Sequence, residues 1–437
     1  LVIGPDRTFT YGECLARAES VARGLALHAI DRAACIVHDA DELIALLIGS
    51  SASGTELCVY STSLGIEEVN ELTTAFDHHH LITDDTRTGL DVIQIGLGDL
   101  AVQGDDVPHS QNAPILILTT GTTGRPKGAR HDWARLVSGV RRREGTSRER
   151  WLLAYNLNQF AGIQVVLHAL VGGSTIVVPP SNQPREALAV MRDLHVTHAS
   201  ATPTFWRFVV ALLDGDAAAG LSLEQITLGG EAIPASLLPE IARLFPAARV
   251  SQIYASTELG SSVSVRDGLH GLPLSVLDRG DQADVQFRVV DGELHARSRV
   301  GMLGYAGEAD DDGWRATGDL VEIRNGRIIF GGRASEIINV GGVKVHPLAV
   351  EEVITTVAGV AHARVFGRSN PMTGQIVAVE VVAAPGADPD LVSDAIREAC
   401  GQLPAAACPR LIKFVPTLKT RDHKIVRRPD AASEPGS

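Results

Sequence analysis

Positive charge is in short supply: 39 Lys and Arg stand against 52 Asp and Glu, a formal net charge of -13. That balance argues against a nucleic-acid partner or an anionic membrane surface. The five cysteines, Cys14, Cys35, Cys58, Cys400 and Cys408, include no Cys-x-x-Cys pair. Their odd number and wide spacing fit reduced thiols in a cytoplasmic protein. No apolar run is long enough to span a membrane, and no signal peptide is visible. The chain begins at Leu1 rather than Met, so the natural N-terminus is expected upstream. There is no internal repeat and no low-complexity tract, apart from a polar tail after Arg428 that is expected to be disordered. His78-His79-His80 are neighbours that do not converge on one ion in helix or strand. They read as a polar segment ahead of the strand Leu81-Ile82-Thr83.

What is present is centred on Thr119-Thr120-Gly121-Thr122-Thr123-Gly124-Arg125-Pro126-Lys127-Gly128. The apolar run Ala113 to Leu118 before it reads as a buried strand. After it, Asp132 caps a helix with apolar residues at Trp133, Leu136, Val137 and Val140. The stretch is therefore expected to be a loop between strand and helix. Its glycines let backbone N–H groups turn toward an anion, its threonines add donors and Lys127 adds charge. This chemistry suits a polyphosphate. It is not a Walker A loop, because Pro126 precedes the lysine and Gly128 follows it.

At 437 residues the chain is long enough for two or three domains. Strands and helices alternate through the first half, which predicts layered α/β architecture with largely parallel sheets. Phe9-Thr10-Tyr11 leads into a helix with Leu15, Ala18, Ala22 and Leu25 on its apolar face, and Pro234 is expected to open another helix. From about Asp284 the texture changes. Asp291-Gly292 and Asn325-Gly326 each separate two strand-like runs, the pattern of two-residue hairpins. The expected organisation is α/β. A large N-terminal domain covers residues 1–332, with a β-rich subdomain over about 284–332. A hinge follows at 333–335, directly after Gly331-Gly332, and a small α+β domain covers 336–437. Lys413, Lys419, Arg421, Lys424, Arg427 and Arg428 form a basic cluster in that last part, which suggests an anionic ligand.

Five further stretches matter together: Gly229-Gly230-Glu231-Ala232, Tyr254-Ala255-Ser256-Thr257-Glu258, Thr317-Gly318-Asp319, Gly332-Arg333 with Asn339 to Val345, and Lys419 to Arg428. Three of them end strands, where ligands of open α/β sheets sit. In this order, and with the threonine-glycine loop, they resemble the adenylate-forming superfamily of acyl- and aryl-CoA synthetases, luciferases and peptide-synthetase adenylation domains. The resemblance runs from about Phe9 to Arg428. It implies two half-reactions. A carboxylate attacks the α-phosphate of ATP, giving acyl-AMP and pyrophosphate. A nucleophile, most often the thiol of CoA or of a phosphopantetheine arm, then displaces AMP.

The resemblance also implies roles. Thr119, Thr120, Gly121, Thr122, Thr123, Gly124 and Lys127 would hold the β- and γ-phosphates. Glu258 matches the Mg²⁺ ligand, and Thr257 would touch the α-phosphate. Tyr254 would stack on adenine, with Gln252, Gly230, Glu231 and Ala232 at its edge. Asp319 would accept from the ribose hydroxyls, and Arg333 would reach ribose or phosphate. Lys424 would bridge the carboxylate and the α-phosphate in the first step, then leave as the small domain rotates. Gln159, Phe160, Gly229, Ala255 and Ser256 would face the acid, and Gly341 and Gly342 would line the pantetheine path.

Some positions depart from the family pattern. Ser335 stands where a hinge Asp is usual, His423 where Gly precedes the lysine, Ala255 where Gly follows the Tyr, and Gln159 where a His opens the acyl-pocket helix. Val59 to Thr62 replaces a Pro-Leu-Asn segment. They suggest a divergent, biosynthetic member with an unusual acid. Trp151 to Leu170 contains no Asp or Glu, which disfavours an α-amino acid. Asn339 to Pro347 looks most like stand-alone CoA ligases. The expected partners are therefore a small carboxylic acid and CoA or an acyl carrier protein, with the enzyme a monomer or homodimer. Two other readings stay open: transfer to an amine, and a nucleotide-binding pseudoenzyme, the latter motivated by Ser335 and His423.

Overall fold

The computed structural model describes residues 1–5, 7–119, 126–140, 146–181, 183–213, 218, 220–308, 313–421, 424, 425 and 427. Thr120 to Gly124 of the threonine-glycine loop, together with His423 and the polar tail, lie outside them. For Lys424 only the backbone is described.

Two large sheets stack with helices between them. One runs Gly304–Tyr305, Lys127–Asp132, Pro114–Thr119, Glu56–Val59, Arg32–Ile36, His80–Thr83, Ile93–Gly96. The other runs Gly260–Val265, Arg249–Ser256, Gln225–Gly229, His198–Ala201, Arg150–Leu153, Thr175–Val177, Val2–Ile3, Thr8–Phe9. Their central strands are parallel, and Arg32–Ile36 and Glu56–Val59 are apolar and buried after their first residue, because both faces are covered. Helices Ala40–Ser53 and Phe160–Gly172 fill the layer between the sheets. Their Ile44, Leu46, Ile163 and Val166 join Cys35, Leu57, Ile115, Leu153 and Ile176 in one core. Each such buried aliphatic side chain stabilises the packing by roughly 1.5–3 kcal/mol.

Helix Tyr11–Leu27 begins with a full capping box, Thr10 and Glu13 bonding each other's backbone. Its buried face is Cys14, Ala18, Val21, Ala22 and Leu25. Leu15, expected on that face, is 58% exposed, because the helix turns its Cys14 side inward. The helix expected to open at Pro234 starts later, at Leu237–Leu244, after a turn in which Pro234 C=O accepts the Leu237 N–H.

The loop expected between strand and helix instead joins two antiparallel strands, Pro114–Thr119 and Lys127–Asp132, with Thr119 opposite Lys127. Only then does Asp132 cap the short helix Trp133–Ser138, accepting from Ala134 and Arg135 N–H. His78 is also unlike its sequence reading. It is 2% exposed and holds the Tyr60 hydroxyl at 2.7 Å from Nδ1, so it is a core residue.

The β-rich part is a five-stranded antiparallel sheet of Leu272–Pro273, Arg327–Arg333, Arg315–Arg324, Glu293–Ser298 and Val285–Val290. Asp291-Gly292 and Asn325-Gly326 turn its hairpins with positive φ at both residues of each pair. Thr317 to Asp319 lie inside the long strand Arg315–Arg324. Gly332 and Arg333 pair with Leu320 and Asp319, and a short 3₁₀ turn, Ala334–Glu336, follows. The C-terminal sheet of Val343–Val345, Ile338–Val340, Gly374–Ala383, Val360–Asn370 and Leu411–Phe414 packs on helices Pro347–Thr355 and Pro389–Cys400. A two-stranded hairpin, Thr420–Arg421 with Lys424–Ile425, completes the described chain.

Candidate active site

The carboxyl ends of Pro114–Thr119, Gln225–Gly229 and Arg249–Ser256 carry the sequence-predicted residues. Arg249–Ser256 turns back through Thr257 and Glu258 into its antiparallel neighbour, with a bulge between Tyr254 and Ala255. Ser256 Oγ tightens the turn by accepting the Leu259 N–H at 3.2 Å. Glu258 C=O accepts the Met302 N–H, and a Cβ on Gly301 would strike that carbonyl, so Gly301 is what allows the segment leading to Tyr305 to pass so close.

Tyr305 is the residue that sequence reasoning missed. It pairs beside Ala129 on the strand that begins with Lys127. The Lys127 ammonium lies 4.7 Å from the centre of its ring. Its hydroxyl donates to Glu258 Oε1 at 3.1 Å. Burial, then the Glu258 charge, pushes the phenol above its ordinary range, so it stays a donor. One ring thus joins the exposed cation and the carboxylate that sequence placed in separate motifs.

A second link was also missed. His131, two strand steps beyond Ala129, is fully buried and donates from Nε2 to the Thr257 carbonyl at 2.8 Å. Its ring packs against Phe160, centroids 5.7 Å apart, at the start of the helix that Gln159 precedes. Burial lowers its pKa to about 4, so the imidazole is neutral. His131 therefore braces the Thr257 turn and the candidate acyl helix against each other. Gly162 in that helix admits the Asn156 carbonyl where a side chain would collide. Gly229 C=O accepts the buried Tyr155 hydroxyl at 3.2 Å.

A third group centres on Asp319. Its carboxylate takes the Tyr254 hydroxyl at 2.7 Å and the Arg333 Nε at 2.9 Å. Arg333 also donates to the Thr317 carbonyl at 3.0 Å, and Gly318 N–H to Glu293 at 2.8 Å. Burial raises the Asp319 pKa despite Arg333. Each Asp319 oxygen retains a lone pair, which suits a diol. The Tyr254 ring stacks on Phe330 at 5.0 Å and meets Phe287 edge-on at 5.8 Å. Gln252 is buried, with its amide committed to the Leu269 carbonyl at 2.6 Å.

Glu231 does something its motif did not suggest. Its Oε2 accepts the Thr204 N–H and its Oε1 the Ile425 N–H, both at 3.1 Å, so it touches the hairpin that carries Lys424. Gly341 and Gly342 form the tip of a hairpin away from these groups in sequence, with φ of 57° and 89°. Space around Gly342 is open.

The donor set fits Mg²⁺ only in one way. Glu258 is a single carboxylate whose Oε2 has no protein partner among the described residues, and those residues hold no group of three or more metal-binding side chains. Mg²⁺ is commonly held by one or two carboxylates plus substrate phosphates, so Glu258 fits it.

Comparison with known proteins gives the family and the fold. Residues 1–306 match the AMP-binding enzyme family and residues 349–424 the AMP-binding enzyme C-terminal domain. A 2-succinylbenzoate–CoA ligase of Bacillus licheniformis is 28% identical over 342 residues, 73% of this chain and 70% of the relative. The fatty acid–[acyl-carrier-protein] ligase ScoC of Streptomyces coeruleorubidus is 25% identical over 438 residues, 89% and 84% of the two chains. The crystal structure of ATP-bound MatB from Rhodopseudomonas palustris superposes with a TM-score of 0.81 at 22% identity, over 98% of this chain and 93% of that one. With a family match over more than half its length and the family's fold, this chain belongs to the AMP-binding enzymes.

Proposed function

We propose that this adenylate-forming ligase, of the acid–thiol type, activates a small non-amino carboxylic acid with ATP and Mg²⁺ and passes the acyl group to a pantetheine thiol. The observation that carries the reading is the convergence of Lys127 and Glu258 on Tyr305, beside the turn of Thr257.

In the first half-reaction a carboxylate oxygen bonds to the α-phosphorus and the bond to the β-phosphate bridge breaks. Pyrophosphate leaves with that electron pair. Such a transfer needs positioning and charge stabilisation rather than a nucleophilic side chain. Lys127 contributes a cation at the end of its strand, and Thr119, with the loop that follows, would contribute donors. Glu258 would hold Mg²⁺, which supplies charge neutralisation on the phosphates when bound. Thr257, braced by His131, would face the α-phosphate. Asp319 and Arg333 would hold the ribose, and Tyr254 with Gln252 and the Gly230 to Ala232 backbone would frame the base. Lys424 would pair with both reacting anions. In the second half-reaction the thiol sulfur bonds to the acyl carbon, AMP departs with the old bond's electrons, and the thiol proton goes to solvent.

The domain division belongs to this proposal: a large domain over residues 1–332, a hinge at 333–335 and a small domain over 336–437. So do a pantetheine path past Gly341 and Gly342, an acid pocket around Gln159, Phe160, Gly229, Ala255 and Ser256, and a cytoplasmic setting. No helix among the described residues is long and apolar enough to cross a membrane. The names of the relatives point first to aryl dicarboxylic and fatty acids. An ATP–pyrophosphate exchange panel of aryl, short acyl, fatty and α-amino acids tests the reading. CoA, a phosphopantetheinyl carrier protein and hydroxylamine are then offered as acceptors. Exchange with an α-amino acid, or none with any acid, refutes it. An unpaired ammonium in a pocket without Asp or Glu costs several kcal/mol in order of magnitude.

A further inference from the structure

We propose that Glu231 is the positioning residue that seats the Lys424 hairpin on the large domain for adenylation, its side chain serving the hairpin and not the nucleotide base. This rests on the role given to Lys424 above. The carboxylate is divided between two parts of the chain. Oε2 accepts the N–H of Thr204, in the first turn of helix Pro203–Leu212, and Oε1 accepts the N–H of Ile425, each at 3.1 Å. At a helix N-terminus the backbone N–H groups lack partners and the dipole favours a negative charge. The helix therefore holds the carboxylate, and the carboxylate holds the hairpin. The bond goes to the backbone of the residue after Lys424, so it fixes the strand itself.

The same helix meets the small domain one turn further on. The Phe208 ring lies 4.1 Å from that of His362, on strand Val360–Asn370. Burial, and then Arg207, lowers the His362 pKa to about 4, so this contact is between neutral rings. On its other side the hairpin is tied to the small domain. Arg427 forks onto Glu351 at 2.9 and 2.8 Å, and Glu351, 5% exposed, also accepts the Val365 N–H at 2.8 Å. The two attachments differ in kind. Arg427–Glu351 lies within the small domain and survives any rotation of it. Ile425–Glu231 crosses to the large domain and breaks when Lys424 withdraws. Glu231 therefore biases the equilibrium between the two orientations toward the adenylating one. A hydrogen bond to a charged acceptor weights such a balance by about 10- to 100-fold.

The test compares full-length wild type with Glu231→Ala and Glu231→Gln in three readouts. These are ATP–pyrophosphate exchange, thioester formation from synthetic acyl-AMP, and trypsin cleavage after Lys424 and Arg427. For Glu231→Ala the exchange kcat is expected to fall about 10- to 100-fold while transfer from acyl-AMP falls far less. Cleavage of the hairpin quickens and the melting temperature holds. Glu231→Gln keeps an acceptor and recovers part of the exchange and of the protection. Unchanged exchange and cleavage would overturn the proposal. So would equal loss of both half-reactions with a lowered melting temperature, which would make Glu231 a structural residue. If the wild type exchanges with no acid, the functional reading falls and the trypsin comparison alone decides the seating.

Discussion

Tyr305→Phe removes one oxygen and leaves the ring in place, which separates two contacts. The hydroxyl is 3.1 Å from Glu258 Oε1, and the ring centre is 4.7 Å from the Lys127 ammonium. A hydrogen bond to a charged acceptor contributes about 1.5–3 kcal/mol. Tyr305 is half-buried, so the lower end applies, and about 1.4 kcal/mol is a tenfold effect. The Phe variant should therefore slow pyrophosphate exchange roughly tenfold and shift the Mg²⁺ titration upward, because Glu258 is no longer aimed. The apparent KM for ATP should move little, since the ring still lies under Lys127. Tyr305→Ala removes the ring as well. A cation–π contact at an exposed lysine is worth about 0.5–1 kcal/mol, so the apparent KM should rise by a further factor of roughly two to five. The assay is exchange measured over a grid of ATP and Mg²⁺ concentrations. A Phe variant indistinguishable from wild type would refute the claim that Tyr305 orients the metal carboxylate. Equal defects in Phe and Ala would refute the part given to the ring.

Three other outcomes are expected. Glu258→Gln should weaken the Mg²⁺ dependence and slow adenylation, because the metal loses its charged ligand; an unaltered Mg²⁺ titration would remove Glu258 from that role. Lys424→Ala should abolish exchange yet still convert synthetic acyl-AMP to thioester, and full exchange in the variant would end that assignment. Stability should fall with acid. His78, His131 and His362 are held neutral by burial, each with a pKa lowered to about 4. The unfolded imidazole titrates near 6.5, so between the two values the unfolded chain binds more protons. This stabilisation is complete above about pH 6.5 and is lost as pH falls toward 4, by roughly 2 kcal/mol per histidine at pH 5. Chemical denaturation at pH 7.5 and 5 measures it, and equal midpoints would contradict the burial argument.

The parts of the fold legible in the sequence are those whose cause is local. Asp291-Gly292 and Asn325-Gly326 were readable as hairpin turns because the positive φ they adopt is a property of the dipeptide itself. Gly341-Gly342 obeys the same rule, with Val340 paired to Val343. The backbone sign alone therefore accounts for glycine at both positions. The strand Lys127–Asp132 was hidden because its stability is not local. Lys-Gly-Ala-Arg-His-Asp has no β-branched residue, and its neighbours are Pro114–Thr119 and the distant Gly304–Tyr305. With that strand hidden, Tyr305 and His131 were hidden too, since both act through it. The motifs thus name candidate residues, while the braces between motifs depend on pairings made only in the folded chain. Glu231 is the clearest case. Its position after two glycines at a strand end drew it toward the base. The donor its side chain meets is the Ile425 N–H, 194 residues further on, and no local pattern encodes a backbone N–H that distant. Shared in this way between a helix end and a distant hairpin, the Glu231 side chain does work separate from that of its backbone.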